Sequence, residues 1–130
     1  MEISRVALDA IRAEAVASPA VEVCGLLLGA GLRVERVVAC RNVADDPTTG
    51  FEIDPQALIA AHKAARGGGP AVIGHYHSHP NGKAEPSARD AAAAWGGQVW
   101  VIVGADDVRA WLAIDGGRFD RLDFSSSSRH

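Results

Sequence analysis

Glycine and proline cut this chain into short apolar segments, and that punctuation limits its fold more than any other feature. Ser18-Pro19, Gly29 to Gly31, Gly67-Gly68-Gly69, Gly96-Gly97 and Asp115-Gly116 each stop or turn an apolar stretch. No run reaches the ~18 apolar residues that a membrane helix needs, so no membrane segment is expected. Residues 4–17 predict a helix, with Leu8, Ile11 and Ala15 along one face. VEVCGLLLG (21–29) reads as a buried strand, and LRVERVVACRN (32–42) as the returning arm of a hairpin. ADDPTTG (44–50) is a polar surface loop. Asp54-Pro55 supplies an N-cap and a first-turn proline, which predicts a helix from Pro55 to about Arg66. AVIGHYH (71–77) reads as a central strand running into the loop SHPNGKAEP (78–86), after which Ser87 opens a third helix, SARDAAAAW. VWVIVG (99–104), VRAWLAI (108–114) and GRFDRLDF (117–124) read as three further strands, the last two joined by Asp115-Gly116.

That order calls for a mixed sheet flanked by helices, an α/β or α+β fold. With 130 residues, of which 48% are apolar, there is enough for one core, and a single domain is expected over 1–124. The small, polar tail 125–130 is expected to be disordered. Thirteen basic against 16 acidic residues leave a net charge of −3, with no excess positive charge to hold a nucleic-acid backbone. The N-terminus lacks the basic-then-apolar layout of a secretory signal, and the two cysteines, Cys24 and Cys40, read as free buried thiols. A cytoplasmic location is expected. A small enzyme or a small binding module both satisfy these constraints.

Chemistry enters with His77-Ser78-His79-Pro80, followed after six residues by Ser87-Ala88-Arg89-Asp90. On an extended backbone, positions i and i+2 project to the same side, so His77 and His79 can aim at one point. Asp90, third in the helix opened by Ser87, points back towards the start of that helix. Two neutral imidazoles and a carboxylate form a ligand set for catalytic zinc, with a fourth position left for water. Taken alone, Ser87-x-x-Asp90 is better read as a capping box, and a lone His-x-His is weak. A cap, however, gives no reason for two same-side histidines just upstream.

Metal-assisted hydrolysis also needs a base near the bound water. Glu22 is the candidate, because it opens a strand whose Val23, Cys24, Leu26 and Leu28 read as core, where an unpaired charge is costly. Local sequence alone favours a solvent-exposed strand end, and Glu52, Asp54 and Glu85 remain rivals. His75 forms a second His-x-His with His77 but lacks the downstream spacing, so a structural role, or one supporting the residues of the site, is expected. His62 is expected in solvent. Cys24 shares the strand face of Glu22 and lies within conceivable reach of a metal, although a neutral buried thiol is the better expectation. Trp95, Trp100 and Trp111 are expected in packing, with substrate contact reserved for any that is exposed.

Glu22 with VCGLLLG after it, followed by HSHP, six residues, Ser87 and Asp90, resembles the JAMM (MPN+, Mov34/PAD-1-like) zinc metallopeptidases. The resemblance runs over roughly 3–124, includes FEIDP at 51–55, and fills every motif position. It implies a JAB/MPN-like curved mixed sheet with flanking helices, related in architecture to cytidine deaminases. The deaminase signature itself, H-x-E with P-C-x-x-C, is absent. It implies one Zn2+ per chain on His77, His79 and Asp90, Glu22 as general base and acid, and Ser87 as a donor steadying the tetrahedral oxyanion. Pro80 would shape the ligand loop. The resemblance further implies hydrolysis of the amide bond after the C-terminal Gly-Gly of a small ubiquitin-like, β-grasp sulfur-carrier-type protein. A homodimer is among the expected assemblies. Two other readings stay open at this point: a non-catalytic MPN-type interaction module, and a zinc amidohydrolase of small or unrelated peptides.

Overall fold

A computed structural model describes residues 1–127. Its strands are β1 (Glu2–Ser4), β2 (Cys24–Ala30), β3 (Arg33–Cys40), β4 (Ala71–Ser78), β5 (Val99–Val103), β6 (Val108–Ile114), β7 (Arg118–Leu122) and β8 (Ser125–Ser127). Its helices are α1 (Arg5–Ala17), α2 (Pro55–Arg66) and α3 (Ala88–Ala93). The strands form one eight-stranded sheet in the order β7-β6-β5-β4-β2-β3-β1-β8. β4 and β5 run parallel, as do β1 with β3 and β1 with β8, while the remaining neighbours are antiparallel. The mixed sheet with flanking helices is the predicted class.

Local chemistry explains the helices. The Ser4 hydroxyl accepts from Ala7 N at 3.1 Å and starts α1, which ends at Ala17 before Ser18-Pro19. Asp54 accepts from Gln56 N at 3.0 Å and starts α2, with Pro55 in its first turn and Gly67 at its end. The β2–β3 hairpin turns at Gly31, whose φ of 56° lies in the left-handed region that suits glycine.

Strand parity then divides the molecule. Tyr76 on β4, Val99, Val101 and Val103 on β5, and Leu27 on β2 join Ala7, Leu8 and Ile11 of α1 in one apolar core. The alternate residues, with Trp100, Ile102 and Ala113 at their centre, pack on the other face against Phe51, Ala94, Trp111 and Phe119. In register, His77 lies between Cys24 and Ile102, and His75 between Leu26 and Trp100, so both histidines belong to this second face. Tight approach of β4 to its neighbours requires glycine: a Cβ at Gly25 would overlap the Tyr76 ring, and one at Gly74 the Val99 backbone.

Four differences from the sequence reading exceed a small shift at a strand end or change an element. β1 at Glu2–Ser4 was not read, being three residues long. β2 begins at Cys24 rather than Val21, because Val21 to Val23 leave the regular ladder and Val23 N donates to the Ser78 hydroxyl at 2.9 Å. α3 stops at Ala93, two residues short of Trp95, where Ala94 turns extended. The expected disorder of 125–130 is corrected for Ser125–Ser127, which pair with β1 as β8; residues 128–130 lie outside those described. A serine run carries no hydrophobic signal, so only the free edge of β1 gives it a strand partner.

Candidate metal centre

The parallel pair β4 and β5 ends at one rim of the sheet, where His79 N donates to Val103 O at 3.0 Å. His77 lies in the last turn of pleat on β4 and is fully shielded, and His79 follows it one residue beyond the strand. Asp90 reaches the same point from the first turn of α3. His77 Nε2 and His79 Nε2 are 3.0 Å apart, and Asp90 Oδ2 stands 3.2 Å and 3.0 Å from them. Glu22 completes the group: one ligand atom from each of Glu22, His77, His79 and Asp90 lies within 4.8 Å of the others. All four residues are buried, with Glu22 and Asp90 each 4% exposed.

This donor set fits a metal. A tetrahedral ion with bonds of about 2.0–2.1 Å needs ligand atoms roughly 3.3 Å apart, close to the observed edges. His79 Nδ1 donates to Lys83 O at 2.8 Å, which directs the Nε2 lone pair into the cluster. Glu22 Oε1 is buried and has no hydrogen-bond partner within the chain. A carboxylate oxygen left in that state needs a partner from outside the chain.

Electrostatics follow from burial and from Asp90. Burial pushes the Glu22 carboxyl up to about 7, against a smaller downward pull from His79. Burial also acts to raise Asp90, but hydrogen bonds from His77 and His79 outweigh it and hold this carboxyl well below the usual carboxylate range. Burial lowers His77, with the hydrogen bond to Asp90 opposing. At His79 burial acts downward, yet the Asp90 and Lys83 hydrogen bonds prevail and raise it.

Ser87 does both things expected of a cap: its hydroxyl accepts from Asp90 N at 3.0 Å, and Ser87 N donates to Asp90 Oδ2 at 2.9 Å. The capping box and the His-His-Asp cluster thus coexist, because the oxygen that caps is the one facing the histidines. The Ser87 hydroxyl proton stays available. Phe51 stacks on His77 with ring centroids 4.3 Å apart, and Trp100 meets His77 edge-on at 5.5 Å. These rings wall one side of the cluster.

The rival carboxylates lie elsewhere. Glu52 is exposed, Asp54 caps α2, and Glu85 faces Arg109 at 3.3 Å. Cys24 stays outside the cluster, its Sγ 3.8 Å from the carbonyls of Cys40 and Arg41, and burial pushes its thiol up to about 12. His75 packs against Trp100 at 4.2 Å and Phe51 at 5.2 Å, and burial holds it down at about 3, a structural setting. His62 is exposed, as expected. Trp100 is core, Trp111 donates its ring N–H to Ala84 O at 3.0 Å, and Trp95 is 77% exposed.

Sequence reasoning did not reach the groups that place Glu22. Glu22 N donates to Pro47 O at 2.7 Å, and Glu22 O accepts from Asn42 Nδ2 at 2.9 Å. Ser78, read as merely turned away from the ligands, grips the next residue: its hydroxyl accepts from Val23 N, and its own N donates to Val23 O at 3.0 Å. An asparagine leaving a strand for a polar loop reads as an ordinary turn former, so its sequence carried no further signal.

Sheet, flanking helices and buried His-His-Asp-Glu cluster together define a JAB-type domain. The chain belongs to the prokaryotic homologues of the JAB domain, whose family model matches residues 4–114. It is 45% identical over 93 residues to a probable TtuB-protein conjugate cleaving protease of Thermus thermophilus, a match covering 71% of this chain and 63% of that protein. It is 35% identical over 102 residues to a desampylase of Haloferax volcanii, covering 76% and 73% of the two chains. A solution structure of a Desulfitobacterium hafniense protein superposes with a TM-score of 0.83 at 26% identity, over 98% of this chain and 93% of that one. The fold also matches a JAB1/MPN domain protein of Archaeoglobus fulgidus, with a TM-score of 0.63 at 20% identity over 97% and 98% of the chains.

Proposed function

We propose that this chain is a zinc-dependent peptidase that hydrolyses the amide bond after the C-terminal Gly-Gly of a small ubiquitin-like, sulfur-carrier-type protein. One observation carries the reading: three donor atoms from His77, His79 and Asp90 converge at 3.0–3.2 Å beside a buried Glu22 carboxylate whose Oε1 has no partner. An interaction module has no use for a buried carboxylate held in that state. The relatives support the substrate class, since two are named for cleaving protein conjugates or as desampylases.

His77, His79 and Asp90 would hold the zinc. When bound, zinc supplies a Lewis acid that polarises the scissile carbonyl and lowers the pKa of a water at the open position. Glu22 takes the proton of the attacking water and returns it to the leaving amine, as burial of its carboxyl suits it to do. The Ser87 hydroxyl, its oxygen held by Asp90 N, donates its proton to the developing oxyanion. Phe51 and Trp100 keep water from the His77 side.

The test pairs metal analysis with cleavage. Protein purified without chelator should carry zinc in a one-to-one ratio and split a fusion of a β-grasp carrier after its Gly-Gly tail. A small amide or unrelated peptide should be cut far more slowly. Absence of stoichiometric zinc sinks the ligand assignment, and a metal-loaded protein indifferent to the carrier sinks the substrate assignment.

A further inference from the structure

Both main-chain groups of Glu22 are engaged by one loop rather than by the sheet. Glu22 N reaches Pro47 O, and Glu22 O takes one Asn42 Nδ2 proton. The second Nδ2 proton goes to Gly50 O at 3.0 Å. Asn42 Oδ1 accepts from Ala44 N at 3.0 Å and from Glu52 N at 3.1 Å. Two donors and two acceptors exhaust the capacity of a carboxamide. The orientation is fixed by its partners, since two are carbonyls that only accept and two are N–H groups that only donate. The loop closes on itself around this side chain, with Val43 N on Glu52 O at 2.9 Å and a bridge between Asn42 and Ile53.

The same loop reaches the other half of the site. Gly50, held by Asn42, lies under the Arg89 guanidinium: a Cβ there would stand 2.7 Å from Arg89 Nη1. Arg89 Nη1 also donates to Thr49 Oγ1 at 3.4 Å, and Arg89 immediately precedes Asp90. The Glu22 segment and the start of α3 are therefore referred to one framework centred on a single side chain.

We infer that Asn42 is a positioning residue for Glu22, acting through the 43–52 loop to set the distance of the general base from the ligand cluster. The inference rests on the base role proposed for Glu22. Side-chain reach alone leaves a Glu at a strand entrance many rotamers, and a misplacement near 1 Å costs about 100-fold in rate. Asn42 touches neither ligand nor reacting atoms, so its effect falls on turnover and not on metal.

Two variants separate its functions. Asn42→Asp keeps shape and both acceptor bonds but sets oxygen against the Glu22 and Gly50 carbonyls. Asn42→Ala removes all four bonds. In the metal-loaded full chain, Asn42→Asp is expected to lose about 10- to 100-fold in kcat, with metal content unchanged and KM within roughly threefold. Leu8→Ala, which weakens the core far from the loop, controls for general destabilisation and should keep wild-type kcat below its melting range. A kcat within roughly threefold of wild type in both Asn42 variants, or an equal loss in Leu8→Ala, overturns the inference. Amide exchange in the metal-free protein reads it without any substrate. Exchange at Glu22 N–H should quicken about tenfold or more in Asn42→Asp, while amides within β4 and β5 hold. Unchanged Glu22 exchange defeats the positioning role, whereas failure of the wild type to cut a carrier fusion defeats only the proposed function.

Discussion

The two faces of β4 are equally dry and chemically opposite. Towards α1, Tyr76 joins valines, leucines and alanines, and the polar group buried among them, its hydroxyl, is satisfied by Glu14 Oε1 at 2.5 Å. Towards α3, the same strand presents His75 and His77 among Phe51 and Trp100. Among the described residues, the buried side-chain polar atoms without a partner are Glu22 Oε1, His75 Nδ1, His77 Nδ1 and Trp100 Nε1. Glu22 and His77 belong to the cluster, and His75 and Trp100 pack beside them on the same face. Unsatisfied polar atoms are costly, so a fold retains them where something other than stability is served. One face holds the chain together and the other holds the chemistry in a state the core would not tolerate.

That division is most exposed at His77. His77→Ala should abolish stoichiometric metal binding and all measurable hydrolysis, read by elemental analysis and a fusion-cleavage assay, while far-ultraviolet circular dichroism stays native. Retained metal would move the ligand set elsewhere. Glu22→Gln should keep the metal and lose about 10²–10⁴ in kcat, and retained turnover would reassign the base. Ser87→Ala should cost about 10²–10³ in kcat if its hydroxyl serves the oxyanion. Loss of the cap alone would appear instead as about 1 kcal/mol of stability with turnover intact.

The opposite face should answer in the opposite currency. Ile11→Ala, at a fully buried position of α1, should lower unfolding free energy by about 2–5 kcal/mol in denaturant titrations. Its kcat and metal content should match wild type below the transition, and a turnover defect would mean that the faces are coupled. The smallest effect concerns the cysteines. A thiol reagent should modify half-buried Cys40 well before Cys24, whose burial pushes its thiol up to about 12. Rapid modification of Cys24 in the folded protein, read by peptide mass analysis, would mean that the site face is open behind His77.

Much of this was legible in the chain. α2 at Pro55–Arg66 and β6 at Val108–Ile114 have the predicted bounds, because Asp54-Pro55, the triple glycine and Asp115-Gly116 are local signals. The alignment of His77, His79 and Asp90 was legible too, since pleat and first-turn geometry act over a few residues. Glu22 was legible only through the family resemblance: its neighbours favour an exposed strand end, and it is buried where Pro47, Asn42 and Ser78, all distant in sequence, hold its segment. Trp95 and Trp100 look alike in sequence, yet one is 77% exposed and the other 1%. That difference depends on α3 ending at Ala93, ahead of the stop that Gly96-Gly97 announce.

The sequence by itself determined most of the elements, the parity that puts both histidines on one face, and the spacing of three converging polar side chains. These follow from pleat, helix rise and capping, which are short-range. Only the tertiary structure decided that Glu22 is buried within the cluster, that Ser125–Ser127 find an edge at β1, and that β4 lies between β2 and β5. Those outcomes depend on contacts between residues far apart in the chain, where burial and hydrogen-bond satisfaction of the whole domain decide, and no local pattern encodes them.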